Sequence, residues 1–251
     1  MLGRLGAKLR GRMTPRLSEP LVQRLNRWSR PAWLGTLGRT TPLSDHWGFD
    51  RGTPVDRFYI ERFLAEHRQD IRGRVLEVKN SAYTSRFGDG VERRDVVDID
   101  AANPDATIIA DLAAADGIRS DQFDCVILTQ TLQFIYDTRA VIRHIHRILR
   151  PRGVVLVTVP CVSRIAPRRG LTTDYWRFTA ASCSTLFVEA FGTEHVAVQS
   201  RGNVLTAIAF LTGIAHEELA RRDLERDDPY FPLIITVRAV KPDPMAGDVV
   251  A

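Results

Sequence analysis

Phe123-Asp124-Cys125-Val126-Ile127-Leu128 is followed by a stretch of helical spacing over residues 138–149, and then by Val154-Val155-Leu156-Val157-Thr158-Val159. The outer two runs are short, continuous and rich in Val, Ile and Leu, the pattern of strands buried on both faces. A strand–helix–strand succession of this kind joins neighbours of a parallel sheet.

The same alternation continues in both directions. Towards the N-terminus, residues 74–78, 95–99 and 107–110 read as strands. Residues 54–67 read as a helix, with Val55, Tyr59, Phe63 and Leu64 near one face and Asp56, Glu61 and Arg62 on the other. Asp50-Arg51-Gly52-Thr53-Pro54 leads into it, Thr53 as N-cap and Pro54 at the first helical position. Towards the C-terminus come a helix over 182–191, a strand over 195–199, a helix over 204–222 and a last strand over 231–240. The expectation is a doubly wound α/β domain: a mostly parallel, seven-stranded Rossmann-like sheet with helices on both faces. The expected organisation is a basic N-terminal extension over 1–40, a helical cap segment over 41–70, the α/β domain over 71–242 and a tail over 243–251.

The chain has 251 residues, 44% hydrophobic and 26% charged. That composition excludes a mostly disordered chain, a collagen-like fibre and a polytopic membrane protein. The weakly polar run over 204–215 is too short for a bilayer span, which takes about 20 residues. The net charge of +5 is unevenly placed. Residues 1–40 carry nine Lys/Arg and one acidic residue, Glu19, leaving 26 basic and 29 acidic residues for the rest. No apolar core of a secretory signal follows the first basic residues. Segments 1–12 and 21–28 fit either short amphipathic helices, suited to an anionic membrane, a nucleic acid or a protein partner, or a partly ordered tail whose charge keeps it soluble. Cys125, Cys161 and Cys183 lack metal-ligand spacing, and Cys125 and Cys161 read as reduced thiols in or beside apolar runs. A cytoplasmic location is expected, with peripheral contact at the inner membrane face left to the basic segment.

In doubly wound sheets ligands sit outside the carboxyl ends of the strands. Glu77 to Tyr83 follows the first strand, Asp98 and Asp100 end the second, Asp111-Leu112 follows the third and Thr129-Gln130 the fourth. Asp100 lies 23 residues past Glu77. An acid at that position can accept two hydrogen bonds from a ribose diol, which points to a nucleoside-type ligand.

The order of segments resembles the class I S-adenosylmethionine-dependent methyltransferases, in particular relatives of small-molecule and sugar O-methyltransferases. The likeness covers about residues 75–240. It is strongest in Phe123 to Asp137 and in Arg147-Ile148-Leu149-Arg150-Pro151-Arg152-Gly153, which is similar to the family's R-hydrophobic-L-K-P-G-G turn. The resemblance implies a methyltransferase sheet with S-adenosylmethionine as cofactor. It places Glu77 and its loop by the methionine part and Asp100 on the ribose hydroxyls, with Asp98 as the alternative. Asp111 and Leu112 would meet adenine, and Thr129 and Gln130 would lie beneath the sulfonium. Where the family has three glycines after the first strand, this chain has Lys79, Ser81 and Tyr83; Lys79 either pairs with the cofactor carboxylate or fills the pocket. Arg152 replaces the first glycine of the later turn.

Thr173-Asp174-Tyr175-Trp176-Arg177-Phe178-Thr179 follows the fifth strand after a basic loop holding Arg164, Arg168 and Arg169. Aromatic faces cover the C–H surface of a sugar while charged groups bind its hydroxyls, so Tyr175, Trp176 and Arg177 are acceptor-binding candidates. The same residues read equally as a helix anchor in which Arg177 pairs with Asp174. Methyl transfer to a hydroxyl needs alignment and removal of a proton. Asp174 is the first candidate base and His46 the second; Arg51, Asp56 and Tyr59 are secondary site candidates. His144 and His146 are two residues apart on a helix, poor spacing for a shared metal, and no metal site is expected.

The leading expectation is O-methylation of a hydroxyl on a sugar, glycan or other small molecule. The alternatives are a non-catalytic relative binding a nucleoside or a partner, supported by the altered glycine loop, and a nucleic-acid methyltransferase using the basic arm. Against the last stand the slightly acidic remainder of the chain and Thr129-Gln130-Thr131-Leu132, which is not the N/D-P-P-aromatic tetrad of base amino-methylation. An apolar helix near 204–218 would favour self-association if exposed.

Overall fold

The computed structural model describes residues 38–166 and 171–243, together with Leu21 and Gly35. The predicted segments 1–12 and 21–28 (Leu21 apart), Arg168 and Arg169, and the tail beyond Asp243 lie outside the described residues. The chain divides at Thr40/Thr41.

Seven strands form one sheet: β1 (Gly73–Val78), β2 (Val91–Asp98), β3 (Ile108–Ile109), β4 (Phe123–Thr129), β5 (Leu149–Pro160), β6 (Val196–Arg201) and β7 (Ile234–Val240), in the order β3-β2-β1-β4-β5-β7-β6. The pairs β2–β3, β1–β2, β1–β4 and β4–β5 are parallel. Only β7 is reversed, running antiparallel to both β5 and β6. The strand order turns back between β1 and β4, which puts the switch point at the carboxyl ends of those two strands.

Among the described residues, six α-helices accompany the sheet: α1 (Val55–Glu66), α2 (Ala82–Phe87), α3 (Thr138–Ile148), α4 (Ala180–Phe191), α5 (Val204–Thr212) and α6 (Arg221–Leu224). Alternating residues of the central strands feed two separate cores. Val126, Leu128, Val155 and Val157 meet Val141, Ile145 and Phe187 of α3 and α4. Cys125, Ile127, Val154 and Leu156 meet Tyr59, Phe63 and Phe210 of α1 and α5. This two-sided burial explains the continuous apolar runs, because neither face reaches water along residues 125–128 of β4 or 153–160 of β5. Cys125 and Cys183 are buried free thiols, Cys161 is half-buried, and burial pushes Cys183 up to about 12.

Three details differ from the sequence reading. Helix α1 is capped by Pro54, not Thr53: Pro54 has the extended ψ of 143° and no side chain closes the end. The helix expected over 204–222 stops at Thr212, because Gly213 adopts the left-handed φ of 76°. A Cβ there would lie 2.6 Å from the Ser44 carbonyl oxygen, so the incoming segment packs where a longer helix would continue. β5 extends back to Leu149 through an irregular stretch in which Arg152 takes a φ of 65°. A residue with a Cβ thus holds the conformation that the resembling glycine turn needs.

Candidate functional site

Next to the switch point, past the carboxyl ends of β1 and β2, a cleft of about 540 Å³ opens between Lys79, Asn80, Asp98, Ile99, Asp100, Asn103 and Asp105. It is built by two loops. Lys79 leaves β1 with a φ of 73°, donates its N–H to Val97 O and is itself exposed. The Asn103 amide donates to Lys79 O and to the Asp98 carboxylate, each at 2.7 Å, and so ties the two loops together. Asp98 also accepts the Asp100 N–H. Burial raises the Asp98 carboxyl, but these bonds outweigh it and its pKa is lowered. Asp100 is exposed, and from the described residues its carboxylate accepts only the Ala102 N–H, which leaves one carboxylate oxygen for a ligand.

Glu77 does not line the cleft. Its buried carboxylate turns to the start of α2, accepting from Tyr83 N at 3.1 Å, Thr84 N at 2.8 Å and Thr84 Oγ1 at 2.7 Å. Burial raises this carboxyl, and the bonds from Thr84 and Tyr83 only partly oppose it. Tyr83, at the third glycine position, also turns away: its phenol oxygen accepts from Arg57 Nη1 at 2.6 Å and its ring packs beside the α1 core. The loop has therefore kept one glycine-like backbone conformation at Lys79 and swung its bulkiest side chain aside. Ser81 stands half-buried at the N-cap of α2, off the cleft lining.

Asp111 is exposed and caps the short 3-10 turn that follows β3, accepting from Ala113 N. Leu112, the other residue expected to meet adenine, is 5% exposed and packed in the core beneath α3. Thr129 and Gln130 end β4 beside Thr158 of β5. Gln130 takes a φ of 47°, and its Nε2, the neighbouring Gln133 Oε1 and Thr158 Oγ1 are buried without a hydrogen-bond partner. Buried polar atoms in that state want a ligand or a water.

The acceptor candidates separate sharply. Arg177 Nη1 donates to Asp174 at 2.6 Å and Nη2 to its other oxygen at 3.3 Å, and the guanidinium also reaches the carbonyls of Ser163, Arg164 and Trp176. Ala166 N donates to Asp174 as well. Burial raises the Asp174 carboxyl, but the Arg177 hydrogen bond and the Ala166 N–H outweigh it, so its pKa is lowered. A buried carboxylate so engaged is a weak proton acceptor, and the pairing of Arg177 with Asp174 is the one that the second reading of this segment expects. Tyr59 is likewise a core residue: it is 1% exposed, donates to Leu224 O, and burial pushes its phenol up to about 12. Arg51 is taken up by Glu218. Asp56 is buried with an unpartnered Oδ1, and burial raises its carboxyl.

Tyr175 and Trp176 remain open. Their backbone N–H groups donate to Gln133 O, and the Trp176 indole donates to the carbonyls of Ile135 and Tyr136. Tyr136, which sequence reasoning missed, is 70% exposed, stacks on Trp176 at 5.9 Å and meets Tyr175 edge-on at 5.5 Å. The signal for it was present in the quoted 123–137 stretch, as an aromatic residue directly before the N-cap Asp137. His46 is exposed on the 44–50 turn. Arg164, from the loop after β5, holds that turn by donating to Asp45 O and lying 5.1 Å over the Trp47 ring.

The open α/β sheet with β7 reversed thus carries, past the carboxyl ends of β1 and β2, a cleft lined by carboxylates and one ammonium, the architecture of an α/β protein with a polar ligand cleft. The family model described as "Methyltransferase domain" matches residues 38–192, and the chain belongs to that family. Its cofactor is S-adenosylmethionine, and the enzyme is an S-adenosylmethionine-dependent methyltransferase. Among solved structures it is similar to the N-methyltransferase NodS from Bradyrhizobium japonicum in complex with S-adenosyl-L-homocysteine, at 12% identity over 80% of this chain and 94% of that one, with a TM-score of 0.50. It is also similar to a putative sarcosine dimethylglycine methyltransferase from Galdieria sulphuraria, at 15% identity over 75% and 90% of the two chains, again with a TM-score of 0.50. No curated protein matches the chain. The residues present suit the cofactor: the cleft volume falls within the range of small-molecule sites, and among the described residues Asp100 keeps one carboxylate oxygen without a hydrogen bond, while Lys79 brings an exposed ammonium whose charge already acts on Asp98.

Proposed function

We propose that this methyltransferase acts on a hydroxyl of a glycan or another hydroxylated ring compound. The observation that carries the reading is the exposed, pre-ordered aromatic cluster of Tyr136, Tyr175 and Trp176 beside the ends of β4 and β5. Its faces suit the C–H surface of a sugar, and its hydrogen bonds to the Gln133, Ile135 and Tyr136 carbonyls hold the rings without help from a ligand. Rings ordered in advance lose little entropy on binding.

When bound, the cofactor supplies a methyl group on a sulfonium. In this reading Asp100 accepts from the ribose hydroxyls, Lys79 faces the cofactor carboxylate, and Asp111 lies towards the adenine amine. Thr129 and Gln130 would form the floor between cofactor and acceptor, with Gln130 Nε2 and Gln133 Oε1 buried in it without a hydrogen-bond partner. The chain's own work is to align the acceptor oxygen and remove its proton. His46, on the turn held by Arg164, takes the role of base that Asp174 cannot fill.

The test has two stages. Calorimetric titration with S-adenosylhomocysteine first establishes the cofactor site. Methyl transfer to a panel of mono- and oligosaccharides, with flavonoid and amine acceptors alongside, then reads the acceptor. Transfer to sugar hydroxyls that is lost in Tyr136→Ala supports the proposal; transfer to amines alone refutes it.

A further inference from the structure

Helix α5 is apolar on every side. Its inward face carries Thr206, Ala209 and Phe210, packed against the core that α1 shares. Its outward face carries Val204, Leu205, Ile208 and Leu211, which are 51, 43, 37 and 43% exposed. The spacing puts Val204, Ile208 and Leu211 on one stripe, with Leu205 at its edge. A helix hydrophobic all round is ordinarily buried all round.

The stripe does not stand alone. Asp228 N donates to Gly202 O and Leu233 N to Arg201 O, which brings the 228–233 loop to the start of α5. There Tyr230 and Phe231 stand exposed at 88 and 54%. At the other end, Leu43 N and Ser44 N donate to Thr212 O, so the chain enters the domain beside the last turn of α5. Immediately before that entry lies the segment 1–40, with nine Lys/Arg, one acidic residue, eight leucines, Trp28 and Trp33. Basic residues interleaved with Leu and Trp are the composition of segments that rest in a lipid interface.

We propose that the outward face of α5, with Tyr230 and Phe231, docks on an anionic lipid bilayer, and that the attached basic segment supplies the electrostatic half of the attraction. Each half alone gives marginal attachment, and two together give a stable one. The charge argues for lipid over a second copy of the chain, because a symmetric contact through α5 would place two attachment points of a strongly basic segment at one interface. It argues over a nucleic acid too, since four aliphatic side chains offer a phosphate backbone nothing. No described helix is long and apolar enough to cross a membrane. Attachment of this kind is peripheral, and it does not depend on which acceptor the enzyme methylates.

The experiment is flotation of the full chain with phosphatidylglycerol-containing vesicles and with pure phosphatidylcholine vesicles, for the parent and for an Ile208→Ser/Leu211→Ser variant. A thermal melt of both proteins checks the fold, and light scattering gives the mass of each. The expected result is binding to the anionic vesicles alone, weakened about tenfold or more in a variant that melts as the parent does, and weakened again by salt. Absence of vesicle binding by the parent overturns the proposal. So does equal binding by the variant, which would leave the basic segment as the whole anchor. A parent dimer that the double substitution makes monomeric overturns it in favour of self-association. Retained binding to single-stranded RNA with none to vesicles does so in favour of nucleic acid.

Discussion

Arg177 and Asp174, three residues apart, form a two-pronged ion pair in which Asp174 Oδ1 lies 2.6 Å from Arg177 Nη1 and the carboxylate side chain is 2% exposed. The same guanidinium spans the carbonyls of Ser163 and Arg164, so this pair fastens the loop after β5 to the aromatic segment that follows it. A residue pair that looks like acid–base machinery in sequence is here a clasp.

Asp174→Asn therefore tests the clasp against catalysis. The folded carboxyl titrates below its ordinary value of 3.8. Its stabilisation is complete above that value and is lost as pH falls through the depressed folded pKa. The substitution is expected to cost about 1–3 kcal/mol at neutral pH, since it takes the counter-charge from a half-buried guanidinium, and to flatten the loss of stability below about pH 4. Urea unfolding at several pH values measures both. A pH–rate profile that keeps its shape in this variant would set Asp174 apart from a base.

Glu77→Gln is expected to destabilise the fold by about 1–3 kcal/mol, because Gln replaces one acceptor oxygen with a donor opposite the Tyr83 and Thr84 amides. Chemical denaturation of the unliganded protein reads this directly. Because the raised carboxyl points at α2 and not into the cleft, cofactor affinity should change through fold stability alone.

Lys79→Gly should separate backbone from side chain. Relief of the positive φ is expected to stabilise the protein by about 0.5–1 kcal/mol, net of glycine's greater freedom when unfolded. Loss of the ammonium should weaken S-adenosylhomocysteine binding by up to about fivefold, the worth of an exposed ion pair. Thermal melts and calorimetry would thus move in opposite directions.

Asp100→Asn is expected to weaken S-adenosylhomocysteine by about 1–3 kcal/mol, the cost of hydrogen bonds to a charged acceptor, with no change in melting temperature. Unchanged affinity would shift the ribose contact to Asp98, whose two oxygens already serve Asp100 N and Asn103.

Tyr136→Ala removes an exposed ring and should leave both the fold and cofactor affinity intact. Loss of one stacking face is expected to raise KM for a ring acceptor by about three- to tenfold, with kcat little altered. Trp176→Ala should do more, because the indole also ties down the Ile135 and Tyr136 carbonyls.

The strands were legible because their signal is local. An apolar run such as Cys125 to Leu128 has two faces to bury, and only a covered sheet buries both. The positions of the strand ends, and with them Lys79, Asp98 and Asp100, followed from the same periodicity. Helix α5 was overextended for the same reason. Its apolar pattern runs on past Gly213, and only the Ser44 backbone, from the far end of the chain, stops it.

Residue types in the 173–179 and 41–59 segments named a set of candidates, but their roles depended on which polar group each one met. Arg51 meets Glu218 and Tyr59 meets Leu224, partners more than 160 residues away. Arg177 finds its carbonyls across a loop, and Tyr136 finds its stacking partner 40 residues on. Sequence by itself determined the layered sheet and the strand ends that frame the cleft, because burial of apolar surface is written in spacings of two and of three to four residues, and its 123–137 and 147–153 segments carried the family resemblance. Tertiary structure alone decided which charged and aromatic side chains are spent on one another and which remain free for a ligand, because a hydrogen bond needs two specific groups within about 3 Å, and no local pattern records that meeting.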